Sequence, residues 1–143
     1  MQNETTEYSP TVWAHFRTPH NAGEFPAGTA GVFKGQAGAR RYGRVVEFQL
    51  QVATDGQIAE CRYRVYGCPA TIALCSLTSE ALKELSLAEA TVFSIVALAE
   101  QLGLPAEKRA AAITVEDAIR AALAEYNRQQ RPSATAGFEA KQA

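Results

Sequence analysis

The stretch VYGCPATIALCS, Val65 to Ser76, sets a cysteine between glycine and proline, where an alternating apolar pattern gives way to a helical one. Cys68 should therefore lie at the N-terminal end of a helix, where unpaired amide N–H groups and the helix dipole stabilise a thiolate. A sulfur in that place is suited to nucleophilic attack, sulfur acceptance or metal ligation; packing as a small apolar residue is the plainer alternative. Cys75 lies seven residues further along the same helix. At about 1.5 Å of rise per residue the two backbones stand roughly 10 Å apart. That exceeds the reach of a disulfide, about 7 Å between Cα atoms, and of two thiolates on one metal. Cys75 and Cys61, the latter on the apolar face of a hairpin, read as core thiols, and the cysteine spacing matches no zinc pattern. His15 and His20 are the only histidines, and neither has a second ligand at helical or turn spacing, so both are expected to be structural. The arginines of ARRYGR, Ala39 to Arg44, offer forked donors suited to a phosphate, a carboxylate or an acidic partner, with a solvated basic loop as the plainer reading.

The elements that would position these groups follow from pattern. Ser9 and Pro10 mark a helix start, with Val12, Trp13 and Phe16 as its apolar stripe. From Gly23 to Gly43 the chain is rich in Gly, Ala and Pro and reads mostly as loop, with only Gly31-Val32-Phe33 hinting at a short strand. Val46, Phe48, Leu50 and Val52 alternate with polar residues, Asp55-Gly56 makes a tight turn, and Cys61, Tyr63 and Val65 alternate on the return. That is a β-hairpin. Helical spacing from Pro69 to about Leu85 follows, then a capping box at Ser86 and Glu89, a short helix over 95–102, and a longer one with Val115, Ile119, Ala122 and Tyr126 inward. The fold class expected is α+β, a small antiparallel sheet of about three strands with helices packed on one face. Residues 1–7 are expected to be flexible, 8–128 to form one domain and 129–143 to be a disordered tail.

Composition narrows the classes of function. A chain of 143 residues with 47% hydrophobic content can bury a core unaided. A formal charge of -1 gives no general attraction to nucleic acid or to an anionic membrane, and no apolar run approaches a membrane span. MQNETTEYSP lacks the basic-then-apolar order of a secretory signal, and the odd number of cysteines, 3, argues for reduced thiols, so the cytoplasm is the expected location. No nucleophile–base pair, phosphate loop or carboxylate dyad suggests an enzyme with turnover.

Several segments in order, YSPTVWAHFRTPHNAGEF, GARRYGRVVEFQLQV, DGQIAECRYRVYGCPATIALCSLTSEALK and LPAEKRAAAITVEDAIRAALAEY, resemble the iron–sulfur cluster assembly scaffold family of IscU and the NifU N-terminal domain. The resemblance spans about Tyr8 to Tyr126 and implies the same α+β fold. It also implies assembly of a two-iron two-sulfur cluster, with sulfur received from a cysteine desulfurase and the cluster passed on with an Hsp70-type chaperone. The family's ligands are three cysteines, helped by an aspartate and a histidine. Carried over by position, the first cysteine falls on Tyr42, the aspartate on Arg44, the second cysteine on Cys68, the histidine on Ala110 and the third cysteine on Ala111.

Only Cys68 survives, and a guanidinium replaces a carboxylate where a cation would sit. The site is therefore expected not to hold a cluster within one chain. Iron or a cluster would need ligands shared with a partner; otherwise no cofactor is expected. Arg44, if turned toward Cys68, would favour its thiolate, and Tyr42 is a candidate cover for the pocket. Leu104, Pro105 and Lys108 keep part of the family's chaperone-recognition segment, whose middle is changed. Three roles stand: a cluster-assembly scaffold-like protein with altered ligands, a metal-free adaptor binding a desulfurase or a related scaffold, and a persulfide carrier through Cys68.

Overall fold

The computed structural model describes residues 8–130. The expected flexible segment 1–7 and the part of the expected tail from 131 onward lie outside the described residues. Helix α1 (Pro10–Arg17) starts as its sequence indicates: Ser9 is the N-cap, its Oγ accepts from the Val12 N–H at 3.3 Å, and Pro10 occupies the first turn. Strands β1 (Val32–Ala39), β2 (Arg44–Val52) and β3 (Ile58–Tyr66) form an antiparallel sheet in the order β1-β2-β3. One turn of 3-10 helix, Arg40–Tyr42, joins β1 to β2, closed by Gly43 at φ 87. The β2–β3 hairpin pairs Leu50 with Cys61 and Val46 with Val65, so these side chains share the face that packs on the helices.

Beyond the sheet come α2 (Pro69–Leu82), α3 (Leu87–Val92), α4 (Ile95–Gln101) and α5 (Arg109–Gln130). α5 lies on β1 and β2, α2 on β3, and α1 on α2. Val46, Phe48, Leu50, Cys61, Leu74, Cys75, Val115 and Ile119 meet in one core between sheet and helices. The α+β class with helices on one face is the observed architecture. No helix among the described residues is long and apolar enough to cross a membrane.

Two expectations change. The second half of the segment expected as loop before Gly43, where the pattern hints only at a short strand, is instead largely the eight-residue strand β1. Its glycine and alanine content reflects close packing: a Cβ on Gly35 would lie 2.2 Å from both the Ala118 carbonyl oxygen and the Ala122 amide nitrogen of α5. The helix backbone presses against the strand, and only hydrogen fits there. α2 ends at Leu82 although apolar spacing continues to Leu85. Glu84 turns left-handed at φ 71, and the chain leaves the helix to exchange hydrogen bonds with Ile58, Glu84 N–H to Ile58 O at 2.8 Å and Ile58 N–H to Leu85 O at 2.9 Å.

Candidate functional site

Cys68 is the N-cap of α2, in extended conformation at φ -78 and ψ 168, with Pro69 opening the helix behind it. The strand-to-helix turn at Gly67 brings the sulfur to the mouth of the helix, half-buried, where amide N–H groups converge. Its Sγ stands 3.4 Å from the Thr71 hydroxyl oxygen, and the Lys108 ammonium donates to it at 3.9 Å. Burial alone would push this thiol up. The Thr71 hydroxyl and amide, the Lys108 charge and the Ala70 amide outweigh that effect and hold it below the usual thiol range. Lys108 ends the one-turn 3-10 helix Ala106–Lys108 that leads into α5, so the cation reaches the sulfur across the junction of two helices.

The other cysteines are placed differently. Cys61 and Cys75 are fully buried, and burial pushes Cys61 up to about 12 and Cys75 higher than an ordinary thiol. Both are the core thiols their patterns imply.

A polar seam fixes α1 against α2 and so sets the rim beside Cys68. The buried Ser76 Oγ accepts from the His20 backbone N–H at 2.8 Å and lies 2.8 Å from His15 Nδ1. Asn21, left-handed at φ 65, donates to the Ser79 Oγ at 2.9 Å. His15 is lowered from its usual value by burial and by the neighbouring His20, with Glu80 opposing. The segment Pro19-His20-Asn21-Ala22-Gly23 thus works as a clasp, to which His15 contributes its ring and His20 its backbone amide. Held this way, Tyr8 lies beside Lys108, whose Nζ is 5.9 Å from the ring centroid.

The remaining sequence-indicated residues do not converge on Cys68. Arg44 opens β2 and pairs in register with Ala39; it is not among the groups that tune the Cys68 thiol, a part taken by Lys108. Tyr42 does not close over the pocket: it is 66% exposed, with the Arg41 guanidinium 5.0 Å from its ring centre. Arg40 lies in the same way over Tyr66, at 4.6 Å. Ala110 is exposed and Ala111 buried in the first turn of α5, and neither offers a donor atom. Leu104 is half-buried against the core, its N–H bonded to the Ala99 carbonyl at 3.1 Å, and Pro105 caps the 3-10 turn.

Sequence reasoning missed the Lys108–Cys68 contact and the Thr71 hydroxyl. Thr71, three residues into the capped helix, carried a readable signal, because an N-cap side chain meets the group at that spacing. Lys108 lies 40 residues from Cys68 in the chain and carried none.

Among the described residues, no group of three or more His, Cys, Asp or Glu side chains is assembled to hold a metal ion. The positions onto which the resemblance carries the family's ligands present a phenol, a guanidinium, one thiol and two methyl groups, a set with one good donor for iron.

A three-stranded antiparallel sheet backed by helices, with one tuned cysteine where strand passes into helix, defines a small α+β thiol-bearing fold of the cluster-scaffold type. The chain matches the family model described as "NifU-like N terminal domain" over residues 7–133, and it belongs to that family. It is 40% identical over 119 residues to the iron-sulfur cluster assembly scaffold protein IscU of Escherichia coli K12, covering 83% of this chain and 93% of that protein. It is 37% identical over 123 residues to the protein of the same name from Haemophilus influenzae, covering 86% and 98%. The crystal structure of a nitrogen-fixing NifU-like protein (N-terminal) from Brucella abortus shares the fold, with a TM-score of 0.63 at 14% identity, over 85% of this chain and 95% of that one.

Proposed function

We propose that this chain serves iron–sulfur cluster assembly as a scaffold-like protein that accepts sulfur on Cys68 and does not hold a complete cluster within one chain. One observation carries the reading: of the family's ligand positions only Cys68 keeps a sulfur donor, and that sulfur lies 3.9 Å from the Lys108 ammonium, which favours its thiolate. The donor would be a protein persulfide on a cysteine desulfurase. The Cys68 thiolate attacks the outer sulfur of that persulfide, a new S–S bond forms on Cys68, the old one breaks, and the desulfurase cysteine leaves as a thiolate. The terminal sulfur keeps its proton, and no outside oxidant or reductant is needed. The chain is a carrier in this scheme, with no turnover of its own.

The test is transfer of labelled sulfur from a cysteine desulfurase, read by mass spectrometry of the intact protein and its peptides. One added sulfur on Cys68, absent in Cys68→Ser, is the expected result; no label, or label on Cys61 or Cys75, overturns it. Anaerobic reconstitution with iron and sulfide belongs beside it. Iron retained by wild type and lost in Cys68→Ala would mean that Cys68 ligates a cluster whose other donors come from a second chain.

A second reading, a metal-free adaptor that docks a desulfurase or a related scaffold, is favoured by the exposed arginine–tyrosine corner at Arg40–Tyr42. It predicts a complex that survives Cys68→Ser. Chaperone recognition by Leu104, Pro105 and Lys108 has less support, because Leu104 packs on the core and Lys108 turns to the thiol.

A further inference from the structure

Arginines elsewhere on the described surface mostly hold carboxylates: Arg62 meets Glu60, Arg64 meets Glu47 and Glu24, Arg109 meets Glu100, Arg120 meets Glu116, and Arg128 meets Glu125. The corner between β1 and β2 is different. Arg40 and Arg41 are adjacent, and among the described residues neither forms an ion pair. Arg40 and Arg41 lie instead over the rings of Tyr66 and Tyr42, at 4.6 and 5.0 Å. A guanidinium laid on an aromatic face is held in one orientation while its in-plane N–H groups stay free, so the forks are arranged before any partner arrives. Both rings remain open to solvent, Tyr42 at 66% and Tyr66 at 47%.

Beside them is a depression of about 310 Å³ on the sheet surface, with Gln36, Arg40, Glu47, Arg64 and Tyr66 in its walls. Its one carboxylate, Glu47, is already engaged by Arg64 at 2.9 Å. The local balance is thus positive on a chain whose formal charge is -1, a concentration that solubility does not require. Tyr66 is two residues before Cys68, so the corner adjoins the reactive sulfur along the chain.

We propose that this corner, Arg40 and Arg41 with Tyr42 and Tyr66, is a docking surface for an acidic, carboxylate-rich segment of a partner protein. The forks would take carboxylates in pairs and the exposed rings would supply apolar contact between them. The inference extends the docking part of the proposed function and rests on it.

Fluorescence anisotropy with a labelled decaglutamate peptide and the full chain tests it. Wild type should bind in a salt-sensitive way, and Arg40→Gln/Arg41→Gln should weaken binding by roughly tenfold or more. The variant Arg120→Gln/Arg128→Gln, with the same change in charge, should stay within about twofold of wild type. Tyr66→Leu, which keeps the charge and removes the platform, should lose severalfold. Equal binding by the two double variants overturns the proposal, as does tighter binding of a single-stranded oligonucleotide of equal charge, which would make the surface a phosphate reader. Persulfidation of Cys68 by glutathione persulfide, a donor too small to need docking, keeps the two readings separate. Peptide binding without persulfidation removes the sulfur-acceptor role alone, and persulfidation without peptide binding removes the docking surface alone.

Discussion

Cys68 and Cys75 belong to one helix environment in sequence and to two chemical environments in space. Cys75 is two turns inside α2, wholly buried among apolar neighbours, and its thiol is pushed up by burial alone. Cys68 caps the same helix, where burial is outweighed by a hydroxyl, amide N–H groups and an ammonium. Cysteine identity and membership of a helix therefore decide little. What decides is whether the neighbouring groups can stabilise charge once water is removed.

That contrast can be broken most directly by alkylation. At about pH 8 a thiol held at about 12, as Cys61 is, presents only about one thiolate in ten thousand molecules, against about one in ten for an ordinary thiol. Native protein treated with iodoacetamide should be labelled at Cys68 faster than at Cys61 or Cys75 by on the order of a thousandfold, before steric shielding is added. Urea should abolish the difference. Comparable native labelling of Cys75, read by peptide mass spectrometry, would show that the core around it opens readily.

Stability gives the second test, with the effects reversed between the two sites. Cys75→Ser places a hydroxyl in an apolar site and should cost about 1–3 kcal/mol in urea denaturation. Cys68→Ser sits at an N-cap, where serine is favoured, and should change stability by about 0.5 kcal/mol or less. Equal costs would mean that Cys68 is a packing residue after all.

How far the sequence reached differs between fold and site for the same physical reason. The hairpin and the helix starts were legible because their signals are local: Ser9-Pro10, Asp55-Gly56, and the reciprocal hydrogen bonds of Ser86 and Glu89. β1 was not, since Gly35 answers to a helix more than 80 residues away, facing Ala118. Cys68 was legible as a helix-end thiol from Gly67 and Pro69. Its cation was not: the groups that shift the Cys68 thiol include Lys108 and not Arg44, which is nearer in sequence. A long flexible side chain gives no periodic sign of where its charged end will settle, and only the packing of α5 against the turn brings Lys108 to the sulfur.

Replacing Lys108 therefore sharpens the comparison from the charge side. Lys108→Met keeps much of the side chain's bulk and removes a unit charge at 3.9 Å. Losing an interaction of about 1 kcal/mol would raise the Cys68 pKa and slow its alkylation near neutral pH about fivefold. Added salt should reduce the difference between wild type and variant, because it screens the wild-type charge. Arg44→Met, measured in parallel, should leave the rate unchanged; slowing there instead would restore Arg44 as the modulator.

The smallest expected effect isolates the hydrogen bond from the charge. Thr71→Val preserves side-chain shape, including the methyl that packs near Gly67, and removes the hydroxyl 3.4 Å from the Cys68 sulfur. The helix amides and Lys108 remain, so alkylation should slow only about twofold, from the loss of one donor to the thiolate. This difference should persist in high salt, where that of Lys108→Met fades, since a short hydrogen bond leaves no room for counterions between its atoms. If the Thr71→Val effect disappeared with salt as well, the hydroxyl would be acting only by orienting the field of the other groups, and the tuning of Cys68 would be electrostatic throughout.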